Sequence, residues 1–339
     1  MHTRRHSQLI TRAALASALA VIATVGALSP QPASAGAGAW RRMAGMPVTA
    51  WGLAAVTGAD GRIYAFGGYR EIAGWLRNAE RYSPEADSWR VIRPMPTARF
   101  GLAGALGPKG RIYAIGGYAP GRGDTGRVES YDPATNRWRR DAGMPTPRRA
   151  LATVTGKDGR IYAIGGYNSV DGALATVEAY SPSADRWQRV RSLPIPTMDA
   201  TAALGSDGRI YVFGGWSPRR GDLRRVQIYN PATNRWSRGA GMPIAREVAA
   251  AAAGPSGAIY VAGGANSDGG HDAHTLGRVD VYEPSRNRWV CVLHMPTRRR
   301  FPAAAAAAGR IYVLGGYNAS DGFLSRVEAY TPPSPTVPC

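Results

Sequence analysis

The chain has 339 residues, is rich in glycine (43) and proline (25), carries a formal net charge of +19 and contains 2 cysteines. So turn-dense a composition excludes a helical bundle, and 44% hydrophobic residues exclude a disordered chain. Lys109 and Lys157 are its only lysines, so the charge is arginine charge, which reflects base composition before any arginine-specific role.

Residues 1–12 carry Arg4, Arg5 and Arg12 without an acid, residues 13–28 are uncharged and apolar, and Ala33-Ser34-Ala35 follows two prolines. This is the layout of a secretory signal peptide (1–35) cleaved before Gly36. The apolar run is shorter than the ~20 residues of a spanning helix, so the expected product is exported, extracellular and not membrane-embedded. Arg4-Arg5 leaves the general and twin-arginine routes both open.

From Trp40 onward the chain repeats. Gly-Gly pairs open at Gly67, Gly116, Gly165, Gly214, Gly263 and Gly315, and tryptophans stand at Trp40, Trp89, Trp138, Trp187, Trp236 and Trp289. The spacing is 49 residues until the fifth unit, which holds an insertion between Gly264 and Tyr282. Each unit reads as short β pieces. Asp60-Gly61, Asp158-Gly159 and Asp207-Gly208 supply tight hairpin turns, and Ser83-Pro84, Asp132-Pro133, Ser181-Pro182 and Asn230-Pro231 supply a second turn. Antiparallel strands in groups of four, repeated every ~50 residues, form propeller blades rather than a sandwich. The last unit lacks its Trp, whereas Trp40 precedes the first Gly-Gly without a Tyr, so the segment around Trp40 is expected to complete the last blade. The alanine runs Ala249–Ala253 and Ala303–Ala308 fall in register with the innermost strands and are expected there as strands, against their helix propensity.

The double glycine, the Tyr 14 residues after it and the Trp 7 after that resemble the kelch repeat, from Trp40 to Tyr330. The resemblance implies an all-β fold over 36–331, a six-bladed kelch propeller with four antiparallel strands per blade, followed by a Pro-rich tail (332–339). It also implies that Tyr and Trp pack between blades.

Catalytic signatures are thin. No G-x-S-x-G, H-E-x-x-H or C-x-x-C occurs, and no cofactor is called for. Galactose oxidase is a catalytic relative of this architecture, but Cys291 lies on an outer strand, away from the position its copper chemistry needs. His271, Asp272 and His274 in the fifth-blade insertion are metal-ligand types on a Gly-rich loop, read as a solvated loop before a metal site. Asn168/Asp171 and Asn318/Asp321 read as turn formers. Cys291 and Cys339, the only cysteines of an exported chain, are expected to form a disulfide that pins the tail.

The expected ligand site is the channel mouth. Counting three residues after the M-P or I-P step gives Ala50, Arg99, Arg148, Asp199, Arg246 and Arg299, expected to face the channel; the next position adds Trp51, Phe100, Arg149, Glu247 and Arg300. Four converging arginines suit an acidic glycan, with Trp75 and Trp216 stacking on sugar rings. The expected function is a monomeric binding module for an acidic glycan or a protein partner. The alternative is a sugar-modifying enzyme resembling sialic-acid mutarotase (N-acetylneuraminate epimerase), with Glu247, Asp199 and Arg246 in acid/base roles. Nucleic acid is not an expected partner, because the arginines recur blade by blade around the ring.

Overall fold

Short stretches of alternating residues, cut every few positions by glycine and proline, permit only short strands joined by tight turns. The computed structural model describes residues 38–266, 274–291 and 294–333. They form six four-stranded antiparallel sheets, the blades of a propeller. Blade 1 consists of Ala54–Thr57, Ile63–Phe66, Ala79–Ser83 and Ser88–Val91. The first strands of successive blades touch one another in a closed circle, which makes them the innermost. Both alanine runs supply innermost strands, Ala250–Ala253 and Ala303–Ala307, because only small side chains fit where the blades converge.

The ring closes as the phase of the repeat requires. Ala39–Met43 is the outermost strand of blade 6 and pairs antiparallel with Val327–Thr331, setting Trp40 opposite Tyr330. No helix among the described residues is long and apolar enough to cross a membrane.

The double glycines stitch each blade to the next. The second glycine of each pair donates its N–H, at 2.8–3.0 Å, to a carbonyl of the following blade: Arg99, Arg148, Thr197, Arg246, Arg299 and, across the closure, Ala50. The first glycine lies so close that an added Cβ would sit 2.3–2.9 Å from that same oxygen, which no side chain tolerates. Farther out, the second-strand Tyr of each blade meets the third-strand Tyr of the next. Tyr64–Tyr131, Tyr113–Tyr180, Tyr162–Tyr229, Tyr211–Tyr282, Tyr260–Tyr330 and Tyr312–Tyr82 have centroids 5.5–5.9 Å apart. Each third-strand Tyr also tilts against the Trp of its own blade at 5.0–5.2 Å. These aromatics are mortar, as expected from the repeat.

The expected signal peptide (1–35), Cys339 with the disulfide it would form, and His271 and Asp272 lie outside the described residues. Cys291 ends the outermost strand Arg288–Cys291.

Candidate functional site

Every blade enters its innermost strand through three residues at the channel rim. The third residues, Gly52, Gly101, Ala150, Asp199, Val248 and Phe301, all have φ between +50° and +62°. Each donates its N–H to the carbonyl of its counterpart in the preceding blade, and Gly52 donates to Phe301, so that six bonds of 2.8–3.4 Å close a collar around the axis. A left-handed φ is unfavourable for a β-branched residue such as Val248, and the closed bond circuit holds it there. The space inside the collar is about 100 Å³, lined by these six residues and their neighbours. That is well below the roughly 300 Å³ of small ligand pockets, so the space inside the collar is too small for a typical ligand.

The first residues of the triplets are Ala50, Arg99, Arg148, Thr197, Arg246 and Arg299, and their side chains turn into the blades. This corrects the expectation that Arg99, Arg148, Arg246 and Arg299 face the channel: all four are at most 1% exposed. Arg99 donates to Glu129 at 2.8 Å and to the carbonyls of Gly116 and Arg127 at 2.9 Å. Arg148 pairs with Glu178 at 2.7 Å, Arg299 with Glu328 at 2.8 Å, and Arg246 with Asp280. The physical reason is the strand alternation together with the buried carboxylate waiting on the third strand of each of these four blades. Committed to these pairs, none of the four is available to bind a ligand, and Arg246 has no place in an acid/base mechanism.

Asp199 needs a second correction. Its blade contributes Thr197 to the buried row, while Asp199 belongs to the collar two positions later. The buried apolar residue before the proline, Met95 or Met144 in the blades before, is Leu193 here, so the count starts at Leu193-Pro194 rather than Ile195-Pro196. The 49-residue interval itself, from Arg99 through Arg148, points to Thr197.

The second residues, Trp51, Phe100, Arg149, Met198, Glu247 and Arg300, occupy the mouth. Each bridges antiparallel to the residue after the double glycine: Tyr69, Tyr118, Tyr167, Trp216, Ala265 and Tyr317. Short two-residue hairpins such as Tyr69–Arg70 with Gly74–Trp75 stand above them. The resulting rim has two unlike halves.

Blades 6, 1 and 2 present an aromatic arc. Trp51 packs edge-on against Phe301 at 4.5 Å, and Tyr317 against Phe323 at 5.5 Å. Trp75 stacks on Tyr118 at 6.0 Å with 22° between planes and is 37% exposed, the most open tryptophan of the rim. Trp216, expected on this face, is there, half-buried on the other side against the backbone of Met198.

Blades 3 to 6 present a charged arc. Arg149 lies over Tyr167 at 4.7 Å and Tyr118 at 5.3 Å, and donates to Asp124 at 2.5 Å. Arg300 lies over Tyr317 at 4.9 Å. Between them are two half-buried carboxyls. Burial raises Asp199 to about 7 against the pull of Arg149. Burial, with Asp199 and Asp222 adding repulsion, raises Glu247 to about 7 against the pull of Arg300. Sequence reasoning put Glu247 and Asp199 at the mouth, and both are there.

The remaining expectations fall out simply. Asn168 caps its own turn, accepting from the N–H of Val170 and Asp171 at 3.1 and 2.6 Å, as a turn former does. His274 is exposed, and no group of three or more His, Cys, Asp or Glu among the described residues is placed to hold a metal ion.

A family model described as Attractin/LZTR1 beta-propeller matches residues 112–332, and one described as Kelch motif matches residues 50–96. The solved structure of YjhT is similar in fold, with a TM-score of 0.70 at 16% sequence identity, over 84% of this chain and 95% of that one. No curated protein matches significantly. Because 911 solved chains match in structure, the architecture by itself selects no chemistry.

Proposed function

Since the chain belongs to the Attractin/LZTR1 beta-propeller family and is a kelch-repeat propeller, we propose that it is an exported binding module that takes the end of a neutral glycan at the channel mouth. The observation that carries this reading is the divided rim. The exposed Trp75 and the half-buried Phe100 beside it suit the apolar face of a sugar ring, and the carboxyls and guanidinia opposite suit its hydroxyls. An acidic end is disfavoured once Arg99, Arg148, Arg246 and Arg299 are withdrawn. The rim then sets Arg149 and Arg300 against Asp124, Asp199, Asp222 and Glu247, so it has no positive excess. Export rests on the N-terminal residues 1–35.

The test is a thermal-shift screen against neutral and acidic oligosaccharides, since a ligand of the native state raises its apparent stability. A neutral glycan that raises the midpoint of the parent protein, and not of Trp75→Ala or Phe100→Ala, supports the reading. A response confined to acidic glycans, or one untouched by both substitutions, overturns it.

A second reading is favoured by one observation. Two carboxyls poised near pH 7 in one opening suit proton transfer to and from a sugar, as in a mutarotase or epimerase. Acceleration of sugar anomerisation, followed by NMR and abolished in Glu247→Gln, would move the protein from binding module to enzyme.

A further inference from the structure

The far end of blade 1, opposite the mouth, carries a cluster that no other blade repeats. On the third and outermost strands Arg81 stands directly opposite Arg90, and Ser83 opposite Ser88. The equivalents of the arginine pair are Ser130 and Arg139, Ala179 and Gln188, Ile228 and Ser237, Val281 and Val290, and Ala329 and Arg41. Each of those five pairs holds at most one charge. Like charges directly opposite on neighbouring strands destabilise a sheet, so blade 1 alone accepts this penalty.

Arg62, from the turn before the second strand, joins the same place. Arg62, Arg81, Ser83, Ala86, Ser88 and Arg90 line a cleft of about 260 Å³ without a carboxylate among them. Three acids stand close by: Asp60 accepts from the Tyr64 hydroxyl at 2.8 Å and from the Arg62 guanidinium at 3.1 Å, Asp87 accepts from the Tyr82 hydroxyl at 2.7 Å and the Ala44 N–H at 2.8 Å, and Glu85 is exposed. The lining itself therefore presents three guanidinia and two hydroxyl donors, with the carboxylates of Asp60 and Asp87 engaged with other partners.

We propose that this cleft binds a tetrahedral oxyanion, the phosphate or sulfate group of a small ion or of a monoester. Guanidinium forks from opposite strands supply charge-assisted bonds to such a group, and the serines bind its remaining oxygens. The bound anion converts the Arg81–Arg90 repulsion into a bridge. The site is separate from the channel mouth and stands or falls independently of the glycan reading.

The test measures thermal midpoints in an anion-free zwitterionic buffer and after adding inorganic phosphate, inorganic sulfate or a sulfated monosaccharide, with sodium chloride holding ionic strength constant. The parent protein is expected to gain stability from the oxyanions and not from chloride. Arg81→Gln should be at least as stable as the parent without anion and should bind about tenfold more weakly, the loss of one charge-assisted bond. Inorganic ions acting alone assign the site to free anions, whereas a stronger effect of the ester assigns it to a modified ligand. No oxyanion effect in the parent, an equal effect in Arg81→Gln, or a less stable Arg81→Gln in anion-free buffer overturns the proposal.

Discussion

Replacing Arg99 by alanine should destabilise the fold by about 3–5 kcal/mol, the usual cost of removing one partner from a buried ion pair. The structure says what would be stranded. Glu129 is 1% exposed and would keep the Thr97 hydroxyl at 2.7 Å and the more distant Arg127 guanidinium at 3.8 Å, the Gly116 carbonyl would lose the Arg99 donor, and the Arg127 carbonyl would keep the Gly116 N–H at 3.0 Å. Burial lowers the Arg99 pKa to about 10, still charged at neutral pH, so a full charge is removed.

The molecule contains both controls. Blade 1 has Ala50 where four of the others have arginine, and its Glu80 is raised to about 7 by burial, with Asn78 only partly compensating at 3.4 Å. In Arg99→Ala, Glu129 loses the buried cation that Glu80 lacks, so burial should push its carboxyl upward. A carboxyl raised in the folded state costs nothing at low pH, and stability falls as pH climbs from the unfolded value toward the folded one. The Arg99→Ala penalty should therefore be smaller at pH 5 than at pH 8. Blade 4 carries the neutral solution, Thr197 with Gln227, whose Oε1 accepts from the N–H of Ile195 at 3.1 Å. The double variant Arg99→Thr/Glu129→Gln should recover most of the loss at pH 8. Urea unfolding followed by tryptophan fluorescence at both pH values measures each variant. A single-variant cost under about 1 kcal/mol, or a double variant no better than the single at pH 8, would refute the account of these arginines as structural.

Three further outcomes are expected. Glu80→Gln should stabilise the protein at pH 8 and not at pH 5, flattening a stability profile that otherwise declines between the unfolded pKa and about 7; pH-dependent urea midpoints check it. Gly214→Ala should cost more than about 1 kcal/mol, because φ is +58° and the new Cβ would meet the Arg246 carbonyl at 2.3 Å, whereas Gly221→Ala, with φ +63° and open space, isolates the backbone contribution in the same melting experiment. Trp75→Ala, exposed at the rim, should leave the melting midpoint within about 2 °C of the parent's while abolishing any glycan-induced shift.

The fold was readable because its determinants recur. A glycine that must sit against a carbonyl and a tyrosine that must meet the next blade's tyrosine are each required six times over, so interval counting finds them. The ring closure followed from the same counting, since Trp40 without a Tyr and Tyr330 without a Trp complete each other. The site was readable only in part. Which of two adjacent residues faces the mouth depends on a pleat whose phase is fixed by an interior carboxylate about 30 residues downstream, as Arg99 is by Glu129. Composition at the rim gave no sign of that bond. The fourth blade misled further, because both Leu193-Pro194 and Ile195-Pro196 look like the start of the same count.

The comparison of blades within the chain also separates what holds the propeller from what it presents. At the buried row, three blades pair Arg with Glu, one pairs Arg with Asp, and blades 1 and 4 are the only departures; at the double glycines there is none. One residue along, in the same backbone surroundings, the six positions hold Trp51, Phe100, Arg149, Met198, Glu247 and Arg300. Nothing in the geometry of the ring asks for different side chains there, since each position makes the same antiparallel bridge to the residue after its double glycine. Diversity at this row and at the collar beside it, from Gly52 to Phe301, set against a buried row and double glycines that vary far less, fits the proposed reading of the mouth as a surface for an asymmetric ligand. A sugar ring, with apolar faces and a hydroxylated edge, is asymmetric in the sense that matches an aromatic arc across from a charged one.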